Sequence, residues 1–319
     1  MHRTPDEATY AYWEDRFEEG YTPFAVAREI TNCEEANLYR LPKYFCPPGH
    51  FYSPIVDRAE AEAHLQRHLT EEGVCPDEIP GIRLTKRGML ANWYDLVGYM
   101  KSIPFSVNEF NGWRYKIQND AFGYGDGYAL FGMINKYKPN NIIEIGSGVS
   151  SACAMESARH LSLDCNFHFI EPYPQLLKTL IDYESPNINI HDCGVQSVSL
   201  DLFSNLKHGD FLFIDSTHIL KTGSDVCFEL FEILPRLERG VVVHIHDMFW
   251  HFEYPERWVL ADNRSWNEVY AVRAFLTGND DWEILMFNDY MRQCCASEVK
   301  SSFPEFFVNC GGSLWLRKR

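Results

Sequence analysis

The stretch GVVVHIHDMFWHFEYP, residues 240–255, carries two imidazoles and a carboxylate, His244, His246 and Asp247, at the end of an apolar run. A polar group buried without a partner costs about 2–7 kcal/mol, depending on the reference state. These residues must therefore be compensated by one another, by a ligand or by a metal. A second apolar run, DFLFIDSTH (210–218), ends in the same chemistry, with Asp215 and His218. Three readings of this group stand open. Asp215, His218, His246 and Asp247 hold a divalent ion, with oxygen donors suiting Mg or Mn and imidazoles shifting the preference toward Fe or Zn. Such an ion would lower the pKa of a substrate hydroxyl. Alternatively no metal binds, and His246 or His218 acts as a general base held by Asp247 or Asp215. Or the histidines are satisfied core residues. His244 lies deepest in the run and takes that last reading, while His246 and Asp247 sit at the tip. Two carboxylates converging with histidines favour the ion over the base, which needs only one.

The elements that must position these residues alternate. NIIEIG (141–146), CNFHFIEP (165–172), DFLFID (210–215) and GVVVHIHD (240–247) are short apolar runs ending in acidic residues or glycine, and INIHD (188–192) is a weaker one. The helical stretches SSACAMESARHLS, PQLLKTLIDY and VCFELFEILPRL separate them. Continuous apolar strands alternating with helices predict an α/β fold with a parallel sheet covered on both faces. DWEILMFND and GGSLWLRKR add two further strands near the end. Ligands in such folds bind beyond the carboxyl ends of the strands, and here those ends carry Glu144, Glu171, Asp192, Asp215 and Asp247. Residues 1–110 read differently. Helices are expected over 57–73 and 85–103, and the Pro- and Gly-rich LPKYFCPPGHFYSP (41–54) forbids a regular element between. The expected organisation is a helical, loop-rich region over 1–110, acting as a lid or acceptor-binding part, and the α/β domain over 111–319.

IIEIGSGVSS places Glu144 two positions before Gly146, with Ser147 and Gly148 following. A dinucleotide fingerprint needs a third glycine where this chain has Ser151, and it gives no role to a carboxylate before the first glycine. S-adenosylmethionine does, because its aminoacyl ammonium needs an anionic environment. Glu171 ends the next strand about twenty residues on, the distance at which a carboxylate accepts ribose hydroxyls. Asp192 is in reach of the adenine edge, and Asp215 borders the same pocket.

Glu144-x-Gly146-x-Gly148, Glu171, Asp192 and the LFIDSTH strand end resemble the class I S-adenosylmethionine-dependent methyltransferases over about residues 120–319. More narrowly, GHFYSP (49–54), GDFLFIDSTH (209–218), GSDV (223–226) and HIHDMFWHFEYP resemble a bacterial subfamily with the same blocks, Thr217 standing for the usual serine. The resemblance implies a Rossmann-like sheet, mostly parallel with its last strand reversed, behind a mainly helical N-terminal region. It implies S-adenosyl-L-methionine as cofactor and methyl transfer to a small-molecule acceptor, an O-methyltransferase first. N-methylation with a histidine base, or a non-catalytic cofactor-binding module, is the alternative. Recurrence of GHFYSP beside HxHD puts His50 and Tyr52 near the acceptor. Trp250, His251 and Tyr254, directly after Asp247, are expected to line its pocket.

The remaining composition narrows the field. A formal charge of −16 over 319 residues opposes a general affinity for nucleic acid. No run of about 18 apolar residues offers a membrane span, and the acidic, aromatic N-terminus has no signal-peptide pattern. Ten cysteines, mostly within apolar runs, read as reduced thiols. The expectation is a cytoplasmic enzyme, with its oligomeric state open.

Overall fold

The computed structural model describes Arg16 and residues 45–70, 78–105 and 114–319. The chain divides into two compact units, Met1–Asp57 and Arg58–Arg319. In the first, a turn runs through the GHFYSP block, with the Gly49 N–H donating to the Ile55 carbonyl at 3.0 Å. The helices of residues 58–100 belong to the second unit together with the sheet.

The sheet has seven strands, β1 Asn141–Ile145, β2 Asn166–Ile170, β3 Ile188–His191, β4 Phe211–Ile214, β5 Val242–Ile245, β6 Trp282–Phe287 and β7 Leu314–Lys318. Their order is β3-β2-β1-β4-β5-β7-β6. β1 to β5 pair in parallel, and β7 runs antiparallel to both β5 and β6. The apolar runs became buried central strands because both faces are covered, so no alternation is needed. This is the Rossmann-like sheet with a reversed last strand that the sequence predicts. A strand order that reverses between β1 and β4 leaves a crevice at their carboxyl ends.

Among the helices, α1 spans Arg58–Thr70, α2 Lys86–Met100, α3 Tyr124–Tyr137 and α4 Val149–His160. Thr85 starts α2 by accepting the Gly88 N–H at 3.2 Å, the side-chain cap expected of threonine. Met89, Trp93, Leu96 and Met100 then form its one buried stripe. The Trp93 indole is wholly buried and donates to Ser302 Oγ at 2.8 Å. Further along, α5 covers Gln175–Leu180, α6 Leu200–Ser204 and α7 Asp225–Phe228. The helix after α7 widens into a π turn over Glu229–Ile233 and then tightens into a 3₁₀ turn at Leu234–Arg236. α8 spans Glu268–Leu276, α9 Asn288–Cys294 and α10 Ala296–Ser302. Among the described residues no helix is long and apolar enough to cross a membrane.

The register fixes the site. Ile145, Ile170, Ile214 and Ile245 are paired across β1, β2, β4 and β5. The ladder continues one residue further: Gly146 N–H donates to Ile170, Asp215 N–H to Ile145 and His246 N–H to Ile214, at 3.0, 2.9 and 2.9 Å. Gly146, Asp215 and His246 thus leave the sheet side by side.

Candidate active site

The loop after β1 is held from both sides. Gly146 has φ +78, and a Cβ there would lie 1.8 Å from the Asp215 carbonyl oxygen, so the close approach of the two strand tips requires glycine. Gly148 is the opposite case, with open space where its Cβ would be. The Ser147 N–H donates to Glu171 Oε2 at 3.3 Å, and the Tyr173 N–H to Glu171 Oε1 at 2.8 Å. Glu171 therefore ties the loops after β1 and β2 together at the mouth of the crevice. Asp192, just beyond β3, is exposed. Ser147 Oγ is buried with no hydrogen-bond partner among the described residues, and such an atom calls for an unseen one. An orphan hydroxyl, a two-handed carboxylate and an open glycine fit a ligand with a ribose and a polar aminoacyl end.

Glu144 departs from its expected place. It is 1% exposed and accepts a hydrogen bond from Ser150 Oγ at 2.5 Å, and burial pushes its carboxyl up to about 8. Alternation along β1 turns it opposite to Ile143 and Ile145, under the start of α4. It braces the glycine loop from behind, where burial opposes its charge.

Beyond β4 and β5 the polar residues meet. His218 Nε2 lies 3.6 Å from Asp215 Oδ1 and 3.5 Å from Asp247 Oδ2, and His246 Nε2 lies 3.5 Å from Asp247 Oδ1. The other face of His218 is anchored, Nδ1 standing 2.8 Å from Glu268 Oε2. Burial lowers the His218 pKa, but hydrogen bonds to Asp215 and Glu268 and the nearby charges outweigh it and raise it to about 10. Burial likewise works against charge on His246, and Asp215, Asp247 and Asp126 overcome it. Asp215 responds in kind: burial pushes it up, and His246 and His218 hold it below its ordinary range. For Asp247 burial prevails over the two histidines and its carboxyl is raised. His246 Nδ1 is buried without a hydrogen-bond partner among the described residues, and its ring centroid lies 5.3 Å from that of Phe122.

The four residues expected to hold a metal come together as a charge network instead. Among the described residues no three His, Cys, Asp or Glu side chains are placed to hold a metal ion. His218 Nε2 stands between the carboxylates of Asp215 and Asp247, with its Nδ1 held by Glu268. As placed, these side chains do not fit a metal.

His244 is a core histidine, as expected, with Nε2 2.8 Å from Ser313 Oγ and its ring stacked on Phe213. Trp250, expected at the pocket, is 2% exposed and packs on Phe287 and Tyr290 while its backbone N–H donates to Asp289 Oδ2 at 2.9 Å. The backbone is left-handed at the next two residues, His251 and Phe252, with φ +73 and +57. His251 is half-buried. Tyr254 is buried and its hydroxyl accepts the Val269 N–H at 3.2 Å. His50 and Tyr52 lie in the first unit, where His50 Nδ1 accepts the Tyr52 N–H at 3.1 Å. Sequence reading missed Glu268, Trp266 and Asp126. Trp266 packs on His218 with ring centroids 4.4 Å apart. Asp126, buried on α3, accepts from Ser313 Oγ at 2.6 Å, and burial raises it to about 6.

Residues 143–248, from β1 through the HIHD tip, match the family described as a methyltransferase domain. The central part of the chain is a methyltransferase domain. An uncharacterized protein of Archaeoglobus fulgidus is 33% identical to this methyltransferase over 169 residues, half of this chain and 73% of that one. Among solved structures, an SAH-bound Podospora anserina methyltransferase aligns at 13% identity with a TM-score of 0.40, covering 82% of this chain and 97% of that one. The plantazolicin methyltransferase BpumL in complex with SAH aligns at 13% with a TM-score of 0.38, covering 61% and 82%. The matched segment contains the glycine loop, Glu171 and both strand tips.

Proposed function

We propose that this methyltransferase acts on an oxygen of a small-molecule acceptor, with His246 as general base. What supports the reading is the adjacency of two sites. The His246 imidazole leaves β5 beside Asp215, whose carbonyl touches the position a Gly146 Cβ would occupy. A bound S-adenosylmethionine supplies an electrophilic methyl group on a sulfonium sulfur. Ser147, Gly148 and Glu171 orient it, and Asp192 borders the adenine end. His246 takes the proton from the acceptor hydroxyl, and Asp247, 3.5 Å from its Nε2, stabilises the imidazolium that forms. His218, locked by Glu268, is the fixed cation that keeps Asp215 and Asp247 charged side by side.

The test combines chelation with mutation. Protein freed of metal by dialysis against chelator should keep its rate. His246→Ala should lose about 10²–10⁴-fold in rate, keep its affinity for S-adenosylhomocysteine, and recover part of the loss as pH rises. Activity that vanishes on chelation and returns with one divalent ion would replace the base by a metal. A product methylated on nitrogen would replace the oxygen acceptor.

A further inference from the structure

We propose that Arg264 is a specificity residue that binds an anionic group of the acceptor, so that the substrates are hydroxylated small molecules bearing a carboxylate or a phosphate. The inference deepens the oxygen-acceptor reading and rests on it.

Arg264 lies in the connection between β5 and α8. Its guanidinium sits in the corner formed by two indoles set edge to face, 4.2 Å from the Trp258 centroid and 4.6 Å from the Trp266 centroid. Its backbone N–H donates to the Trp258 carbonyl at 2.9 Å, which closes the loop around it. Trp266 also packs on His218, so the aromatic wall that grips the arginine runs into the charge network. The charge of Arg264 is felt at Asp247.

A guanidinium has five donors in a planar fork that matches carboxylate and phosphate oxygens two at a time. Arg264 uses one nitrogen, NH2, which donates to Asp262 Oδ2 at 3.3 Å. The side chain is one-third exposed, and its Nε and NH1 groups have no partner among the described residues. Contact with both rings and with Asp262 restrains the side chain in advance, and a restrained side chain loses little freedom when a ligand arrives. A pre-oriented cation at the rim of a base, beside a wall of indoles, is suited to an acceptor with an anionic end and a hydroxyl a few bonds away. The rival account is that Arg264 is only a pillar between two tryptophans, with Asp262 as its counter-ion.

The experiment uses full-length protein loaded with S-adenosylhomocysteine and two probe pairs: 3,4-dihydroxybenzoate against catechol, and glycerol 3-phosphate against glycerol. Calorimetry should show the anionic member of one pair bound about 10–100-fold more tightly, the scale of a hydrogen-bonded charge pair. Which pair responds tells carboxylate from phosphate. Arg264→Gln should erase that preference while S-adenosylhomocysteine affinity and the melting temperature stay put. Arg264→Lys, which keeps the charge without the fork, should retain part of it and guards against a collapsed loop. Equal binding within both pairs, no binding of any probe, or a preference that survives Arg264→Gln overturns the proposal. Methyl transfer to the same probes separates the two readings. O-methylated catechol at the rate of its carboxylate would leave the oxygen-acceptor reading standing and remove the role of Arg264.

Discussion

Replacing Glu144 by glutamine tests the reading of the glycine loop. The wild-type carboxyl titrates at its ordinary 4.5 in the unfolded chain and at about 8 in the fold. Between those values the folded protein holds one proton more than the unfolded one, so stability must fall as pH rises. The contribution is fully present below pH 4.5 and fully lost above pH 8. Each pH unit in that window is worth about 1.4 kcal/mol, giving about 3 kcal/mol by pH 7 as an upper bound. Relaxation around a buried carboxyl trims such figures, so an observed effect of about 1.5–3 kcal/mol is expected. Glutamine has the shape of the protonated acid, and its carbonyl still accepts from Ser150 Oγ. Urea unfolding of ligand-free protein at pH 5, 6, 7 and 8 should therefore show two curves that diverge, with Glu144→Gln the more stable at pH 8. Comparing variants cancels every other titrating group. Parallel curves would show that Glu144 is solvated and charged, as a residue facing the ammonium would be, and would refute the assignment.

Three further outcomes follow from the geometry. Gly146→Ala forces a Cβ into the Asp215 carbonyl at a left-handed position, so a loss of at least about 1–3 kcal/mol in unfolding free energy, together with weaker S-adenosylhomocysteine binding, is expected by denaturation and calorimetry. Glu171→Ala should weaken S-adenosylhomocysteine by about 1–3 kcal/mol, the scale of charge-assisted hydrogen bonds, and calorimetry showing unchanged affinity would remove it from the cofactor site. Trp93→Ala should cost about 3–5 kcal/mol in chemical denaturation, since α2 packs within the same unit as the sheet, and a cost under about 1 kcal/mol would place that helix outside the cooperative core.

The strand tips were legible because their signal is local. An apolar run that stops at a carboxylate announces both a buried strand and the end that faces the crevice, and Glu171, Asp215 and Asp247 all obey it. The same signal misplaced Glu144, since adjacency to a glycine loop does not say which face of β1 a side chain takes. Trp250 failed for a related reason: it is three residues from Asp247, but the left-handed backbone at Asp247 turns the chain between them, and the indole is buried in the core. Glu268 and Asp126 were beyond reach. They come from α8 and α3, carry no motif, and become part of the network only through packing that no short window of sequence contains. Without Glu268, nothing in the sequence shows that His218 is anchored from its far side.

Of the eight non-glycine residues with positive φ among the described residues, two stand at the strand tips. His218 and Asp247 follow the tips of β4 and β5, and both adopt left-handed backbone, with φ +59 and +55. Neither is glycine, so each conformation costs on the order of 1 kcal/mol. Glycine at these positions would remove the cost and also the side chains. The strain sets His218 Nε2 and Asp247 Oδ2 at 3.5 Å, while the Met248 N–H donates to the Gly312 carbonyl at 2.8 Å and holds the turn from behind. A fold under selection for stability alone would place glycine or asparagine there. Two strained residues aimed at each other across neighbouring strand ends, beside the cofactor loop, are the arrangement expected where the chain gives up stability to fix the positions of reacting groups.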